Sequence, residues 1–168
     1  MQYATPAQLI DRFDAQELAQ VSVPKEHVSI DAALLKLTVT AGDRSSYTAD
    51  EIAAADAALV KINRALSDAS GVIDSRLETR YQLPLSSVSL ILEQYCCDIA
   101  RYNLYDDHAT DHITKRYDDA VQFLNDVSEG KKNLGIDENN NSATPEDDVV
   151  DFTEGSNVFD RKDSTSFI

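Results

Sequence analysis

The stretch TADEIAAADAALVKINRALSDASGVIDSRL, from Thr48 to Leu77, constrains this chain more than any other. Thr48 and Glu51 have the spacing of a capping box, in which each side chain satisfies the other's free backbone amide. Behind them Ile52, Ala55, Leu59, Ile62, Leu66, Ala69, Ile73 and Leu77 recur at steps of three and four. That is the period of one helix face. A helix of about 30 residues runs roughly 45 Å, so its single apolar stripe needs partners along its whole length. An all-α body follows. Gly71 interrupts the run. Glycine there costs about 1 kcal/mol against alanine, so the sequence predicts a close helix contact or a bend at that point.

The flanks supply the partners. In TPAQLIDRF, Thr5 caps, Pro6 suits the first helical position and Gln8 completes a second capping box. Leu9, Ile10, Phe13 and Leu18 give that helix an apolar side, with its end expected near Gln20. Pro84 disfavours helical geometry at Leu83, and Ser86 or Ser87 then caps a third helix. Its inward stripe is Val88, Ile91, Leu92, Tyr95, Cys96, Ile99 and Tyr102. A fourth helix is expected from about Thr110 to Glu129, with Ile113, Tyr117, Val121, Leu124 and Val127 inward. Gly130 stands where a left-handed C-terminal cap belongs. Residues 21–47 differ. Val21 and Val23, Val28 and Ile30, then Leu35, Leu37 and Val39 alternate with polar positions. Period two favours a β-hairpin or extended excursion, and a short helix over 31–37 competes with it. The expected architecture is a small bundle of about four helices over 1–130, with that excursion inserted.

Beyond Gly130 the periodicity stops. Residues 131–168 are polar, acidic and aperiodic, a composition that does not fold alone. Fully extended they reach about 125 Å, against a radius of gyration near 14 Å for a body of about 130 residues. The arm is long enough to cross a neighbouring subunit. Its apolar residues are sparse: Val149, Val150, Phe152, Val158, Phe159, Phe167 and Ile168. A purely solvating arm needs none of them. With Arg161 they form the candidate partner-binding set, with Phe159 and Phe167 as apolar anchors and Arg161 as the charged one.

YCCDIARYNLYDDHATDH, residues 95–112, holds two cysteines, two histidines and four aspartates. Zinc sites want separated cysteines whose sulfurs converge on one ion, whereas Cys96 and Cys97 are adjacent and diverge on a helix. They cannot pair with each other without severe strain, and they read as reduced, packed thiols. His108 and His112 make an i, i+4 pair only if the fourth helix starts early. Asp106, Asp107 and Asp111 suit a helix N-terminus. DENNNSATPEDD, 137–148, imitates a calcium loop but has Ser142 at the glycine position and Pro145 at position nine. The sequence carries no glycine-rich phosphate loop, nucleophile elbow or His-Glu-x-x-His motif. No catalytic, cofactor or metal residue is assigned, and the chain reads as a protein of shape and contact, not an enzyme.

Net charge is −15, with lysines and arginines dispersed. Such a chain repels a phosphate backbone, so direct binding to DNA or RNA is not expected. No stretch approaches the ~18 apolar residues of a membrane span, and MQYATPAQLIDRF lacks the basic start and apolar run of a secretory signal. The expectation is a soluble protein made in a cytoplasm.

The words RYQLPL and CDIARYNLYD lie within residues 64–135, and that stretch resembles a phage family. The family comprises Mu-like phage proteins encoded among the head-morphogenesis genes, long carried as a domain of unknown function. They are similar in fold class to head–tail connectors, also called neck adaptors or head-completion proteins. YATPAQLIDRF, 3–13, is similar to the family's opening, and NVFDRKDSTSF, 157–167, to its closing segment. Residues 21–60 are longer than the short acidic connection of the family, and the 136–156 spacer is individual. The resemblance implies a virion protein that forms a ring under the portal, twelve-fold in symmetry, without cofactors. It implies an arm that binds the portal protein and an opposite face that receives a neck or tail-completion protein. DNA would pass through the channel without specific binding. Two other readings stand beside it: a cytoplasmic assembly chaperone or regulator absent from the finished particle, and a metalloenzyme using His108, His112 and Asp111.

Overall fold

Two threonines open the two best-signalled helices. In the computed structural model, which describes residues 1–23 and 29–135, both capping boxes form. Thr5 caps α1 (Pro6–Arg12) with Gln8, and Thr48 caps α4 (Ala49–Leu77) with Glu51. Between them lie α2 (Ala15–Ser22) and α3 (Ala32–Val39), and after α4 come α5 (Leu90–Tyr105), a 3-10 turn (Asp106–His108) and α6 (Asp111–Ser128). The described residues are all helical, with six α-helices and no strand.

α4 is the spine. α5 lies against it most extensively, α6 covers α5 and α4, and α1, α2 and α3 pack on the remaining side. Ala55, Ile62, Leu66, Ala69, Ile73 and Leu77 are fully buried, as the three-and-four spacing predicts. Leu59 is only half-buried, and Ala54 and Ala58 take the adjoining inward positions.

The structure corrects several sequence expectations. The first helix breaks at Phe13–Asp14, because Asp14 accepts from the Gln16 amide and caps a new helix, α2. The hairpin over 21–47 is not formed among the described residues; 32–39 is helix, the competing reading. Asp31 caps it by accepting from the Ala33 and Leu34 amides. Leu34 and Leu35 are both buried, which an alternating strand does not allow. Among the described residues there are therefore six α-helices where about four are expected. Gly71 makes no close contact: a Cβ built on it meets nothing within 4 Å, and α4 runs through it. The third helix starts later than expected, with Ser89 rather than Ser86 or Ser87 at its N-cap position and no side-chain hydrogen bond from it.

The C-terminus of α6 ends as expected. Gly130 has φ +77°, and the Lys131 amide returns to the Asp126 carbonyl, closing the last turn in the manner of a left-handed cap. The chain then stays on the body for a few residues. Tyr81 donates its hydroxyl to Asn133 Oδ1 at 3.1 Å, and the Leu134 amide donates to the same hydroxyl at 3.3 Å.

Candidate interaction surfaces

The 95–112 stretch is a packed joint. Cys96 and Cys97 are both fully buried, with Cys96 Sγ 3.7 Å from Ser70 Oγ and 3.9 Å from the Leu66 carbonyl. Burial pushes both thiols up, Cys97 to about 12, which disfavours the reactive thiolate form. His108 sits in the 3-10 turn and His112 in the first turn of α6. They lie on different elements and do not share a helix face. Among the described residues no group of three His, Cys, Asp or Glu side chains could hold a metal. The reading that used His108, His112 and Asp111 has no such geometry behind it.

Two charged clusters lock the joint. Arg101 donates Nε and Nη2 to the two oxygens of Glu17 at 2.6 and 2.8 Å, and Tyr105 donates its hydroxyl to the same carboxylate at 2.8 Å. The Arg101 guanidinium also lies 4.5 Å from the centroid of Phe13. This fork ties α5 to α2. Asp98 is 3% exposed on α5 and meets Arg116 of α6 at 2.9 Å. That approach is a charge contact at a poor hydrogen-bond angle, since Asp98 Oδ1 has no aligned donor. Burial raises its carboxyl above the ordinary value, while Arg116, Arg12 and Arg101 oppose the rise.

Among the described residues, two apolar surfaces outside the core bear on contact with partners. One is an apolar knob where the chain enters α5. Leu90 is 80% exposed, flanked by Val88 and Ile91, both also exposed. Sequence periodicity placed Val88 and Ile91 inward. Because the helix begins only at Leu90, Val88 precedes it, and Leu92 and Cys96 take the inward line. The other surface is a groove of about 500 Å³ between α1 and α3, lined by Ala7, Ile10 and Asp11 on one side and Ala33, Lys36, Leu37, Val39 and Thr40 on the other. The strand reading hid it, since it arises only when 32–39 is a helix.

The arm residues Val149, Val150, Phe152, Val158, Phe159, Arg161, Phe167 and Ile168 lie outside the described residues, as does the calcium-like segment 137–148.

With the folded body defined, its relatives can be compared. The Bacteriophage Mu, Gp36 family matches residues 3–152. The chain belongs to the phage Mu Gp36 family. It is 33% identical over 166 residues to the Mu-like prophage FluMu protein gp36 of Haemophilus influenzae (strain Rd), covering 99% of this chain and 98% of that protein. It is 39% identical over 100 residues to Gene product J of Escherichia phage Mu, covering 59% of this chain and 70% of that protein. Membership of this family makes the chain a Mu-like phage protein, in line with the resemblance read from the 64–135 stretch. Among the described residues no helix is long and apolar enough to cross a membrane.

Proposed function

We propose that this Gp36-family chain is a structural virion protein, a head-to-tail connector that assembles as a ring beneath the portal after synthesis in the host cytoplasm. The ring extends the DNA channel and presents a face to a neck or tail-completion protein. The arm residues Val149, Val150, Phe152, Val158, Phe159, Arg161, Phe167 and Ile168 are its attachment to the portal or to a neighbouring subunit. The observation that carries the reading is the Val88, Leu90 and Ile91 knob on a chain of net charge −15. A contiguous exposed apolar patch on a strongly charged surface marks a contact site. Acidity suits a channel wall that DNA must slide past without sticking.

The second reading, a chaperone or regulator of assembly, uses the same contact surfaces but leaves before the particle is complete. Mixing purified portal rings with the chain and sedimenting them through a gradient tests the first reading. Co-sedimentation at a fixed ratio is expected, and it should fall sharply with Leu90→Glu. A chain that stays at the top of the gradient beside intact portal rings contradicts the connector reading.

A further inference from the structure

We propose that the groove between α1 and α3 receives the arm of a second copy of this chain, with Phe159 seated between Ile10, Leu37 and Val39. The proposal rests on the ring reading and gives it a receptor surface within the ring.

Three observations carry it. The groove is the right kind of site. Its volume of about 500 Å³ lies in the range of pockets that hold a large side chain and its neighbours, and its α3 wall presents exposed Ala33 and half-buried Leu37 and Val39 above the buried Ile10 of α1.

The second is charge. Asp11 and Lys36 stand at this groove, and neither makes an ion pair or side-chain hydrogen bond among the described residues. The arm offers Phe159-Asp160-Arg161. An aromatic side chain followed by one acid and one base meets an apolar slot bearing one acid and one base: Arg161 toward Asp11, Asp160 toward Lys36.

The third is reach and direction. The arm leaves the body at Leu134, which is bonded to Tyr81 just past the C-terminal end of α4. The loop after α3 is tied to the N-terminal part of α4 by the Arg44–Asp56 pair. Twenty-one residues of helix separate Asp56 from Leu77, about 32 Å. The 25 residues from Gly135 to Phe159 span up to about 80 Å, more than twice that distance. The α3 wall of the groove thus lies toward the N-terminal part of the spine, while α1 starts beside Ser70 and Asp74 near its C-terminal end, and the arm is long enough to reach the groove of a neighbour. Head-to-tail association round a ring lets each subunit give its arm to one neighbour and receive an arm from the other. Round a ring, one modest apolar contact per subunit becomes a closed set of mutually reinforcing ones.

The experiment uses two full-length alleles expressed together in cells that also make the rest of the phage. One carries a photoreactive phenylalanine analogue at position 159 together with Ala33→Glu, which spoils its own groove at an exposed position. The other carries Phe159→Ala, an intact groove and an affinity tag. Irradiation is expected to join the two alleles, with the cross-linked peptide mapping to Ala33, Leu37 or Val39 of the tagged chain. Placing Ala33→Glu on both alleles should abolish that product while the thermal melting of each chain is unchanged. A product within the photoreactive chain only, or one mapping away from the groove, overturns the proposal, and so does the absence of any product. Failure of the ring reading shows separately, as a chain that cross-links in cells but is missing from purified particles.

Discussion

At the residue scale, the buried cysteines and the buried aspartate make the sharpest claims. Cys96 and Cys97 are sealed between α4 and α5 with their thiols held protonated, so a thiol reagent at pH 8 should find neither in the native chain. Both should react on unfolding, at a rate set by opening of the structure. One thiol reacting in native buffer as fast as a free cysteine contradicts the packing. The sequence favoured packed thiols over a metal site, because adjacent side chains diverge on a helix. It did not show that both are inside, because a single stripe at helical spacing admits only Cys96. Cys97 is covered as well because α1 and α2 close over the other side of α5.

Asp98 gives a pH prediction. Its folded-state carboxyl holds its proton more tightly than in the unfolded chain, because burial outweighs the arginines. Its contribution is present in full below the ordinary carboxyl value and is lost as pH rises through the raised folded value. Asp98→Asn keeps the shape and removes the buried charge, and Arg116, about a third exposed, can hydrate. Urea denaturation should show the variant gaining on the wild type as pH rises through the carboxyl range, then holding that gain to pH 7. A variant that loses ground over the same interval overturns this account of the site.

At the element scale, caps were more legible than periods. Thr5–Gln8 and Thr48–Glu51 are four-residue words whose partners are local, and both form as spelled. α3 was misread because Leu35, Leu37 and Val39 alternate, although Asp31 before Ala32-Ala33-Leu34-Leu35 is itself a cap followed by good helix formers. Tertiary contact settles it. Leu34, Leu35 and Thr38 all face inward only on a helix, and Thr38 returns its hydroxyl to the Leu34 carbonyl. Asp14 hid in the same way, as a cap inside an apparently continuous helix. Gly71 misled in the other direction. Nothing approaches its missing Cβ, so Gly71→Ala should stabilise the chain by about 0.5–1 kcal/mol through helix propensity and unfolded-state entropy. An upward shift of the urea midpoint at constant slope would show it. A downward shift would contradict the open surroundings of Gly71.

At the scale of the whole molecule, the sequence made the all-α body legible, since the 48–77 stripe admits little else. The two contact surfaces were not. The knob depends on where α5 starts, and the groove on α3 being a helix, and both are set by packing rather than by local words. The arm stands apart: its spaced apolar residues were read from the sequence alone. The central claim is that the chain is a component of the finished particle, held there through residues 149–168. The most direct measurement is the amount of chain in purified particles, full-length against a form lacking 149–168, with the melting of each isolated protein alongside. The account predicts full-length chain at a constant copy number per particle, truncated chain absent, and equal melting temperatures. Full-length chain missing from particles, or truncated chain incorporated while its melting temperature falls sharply, would contradict it.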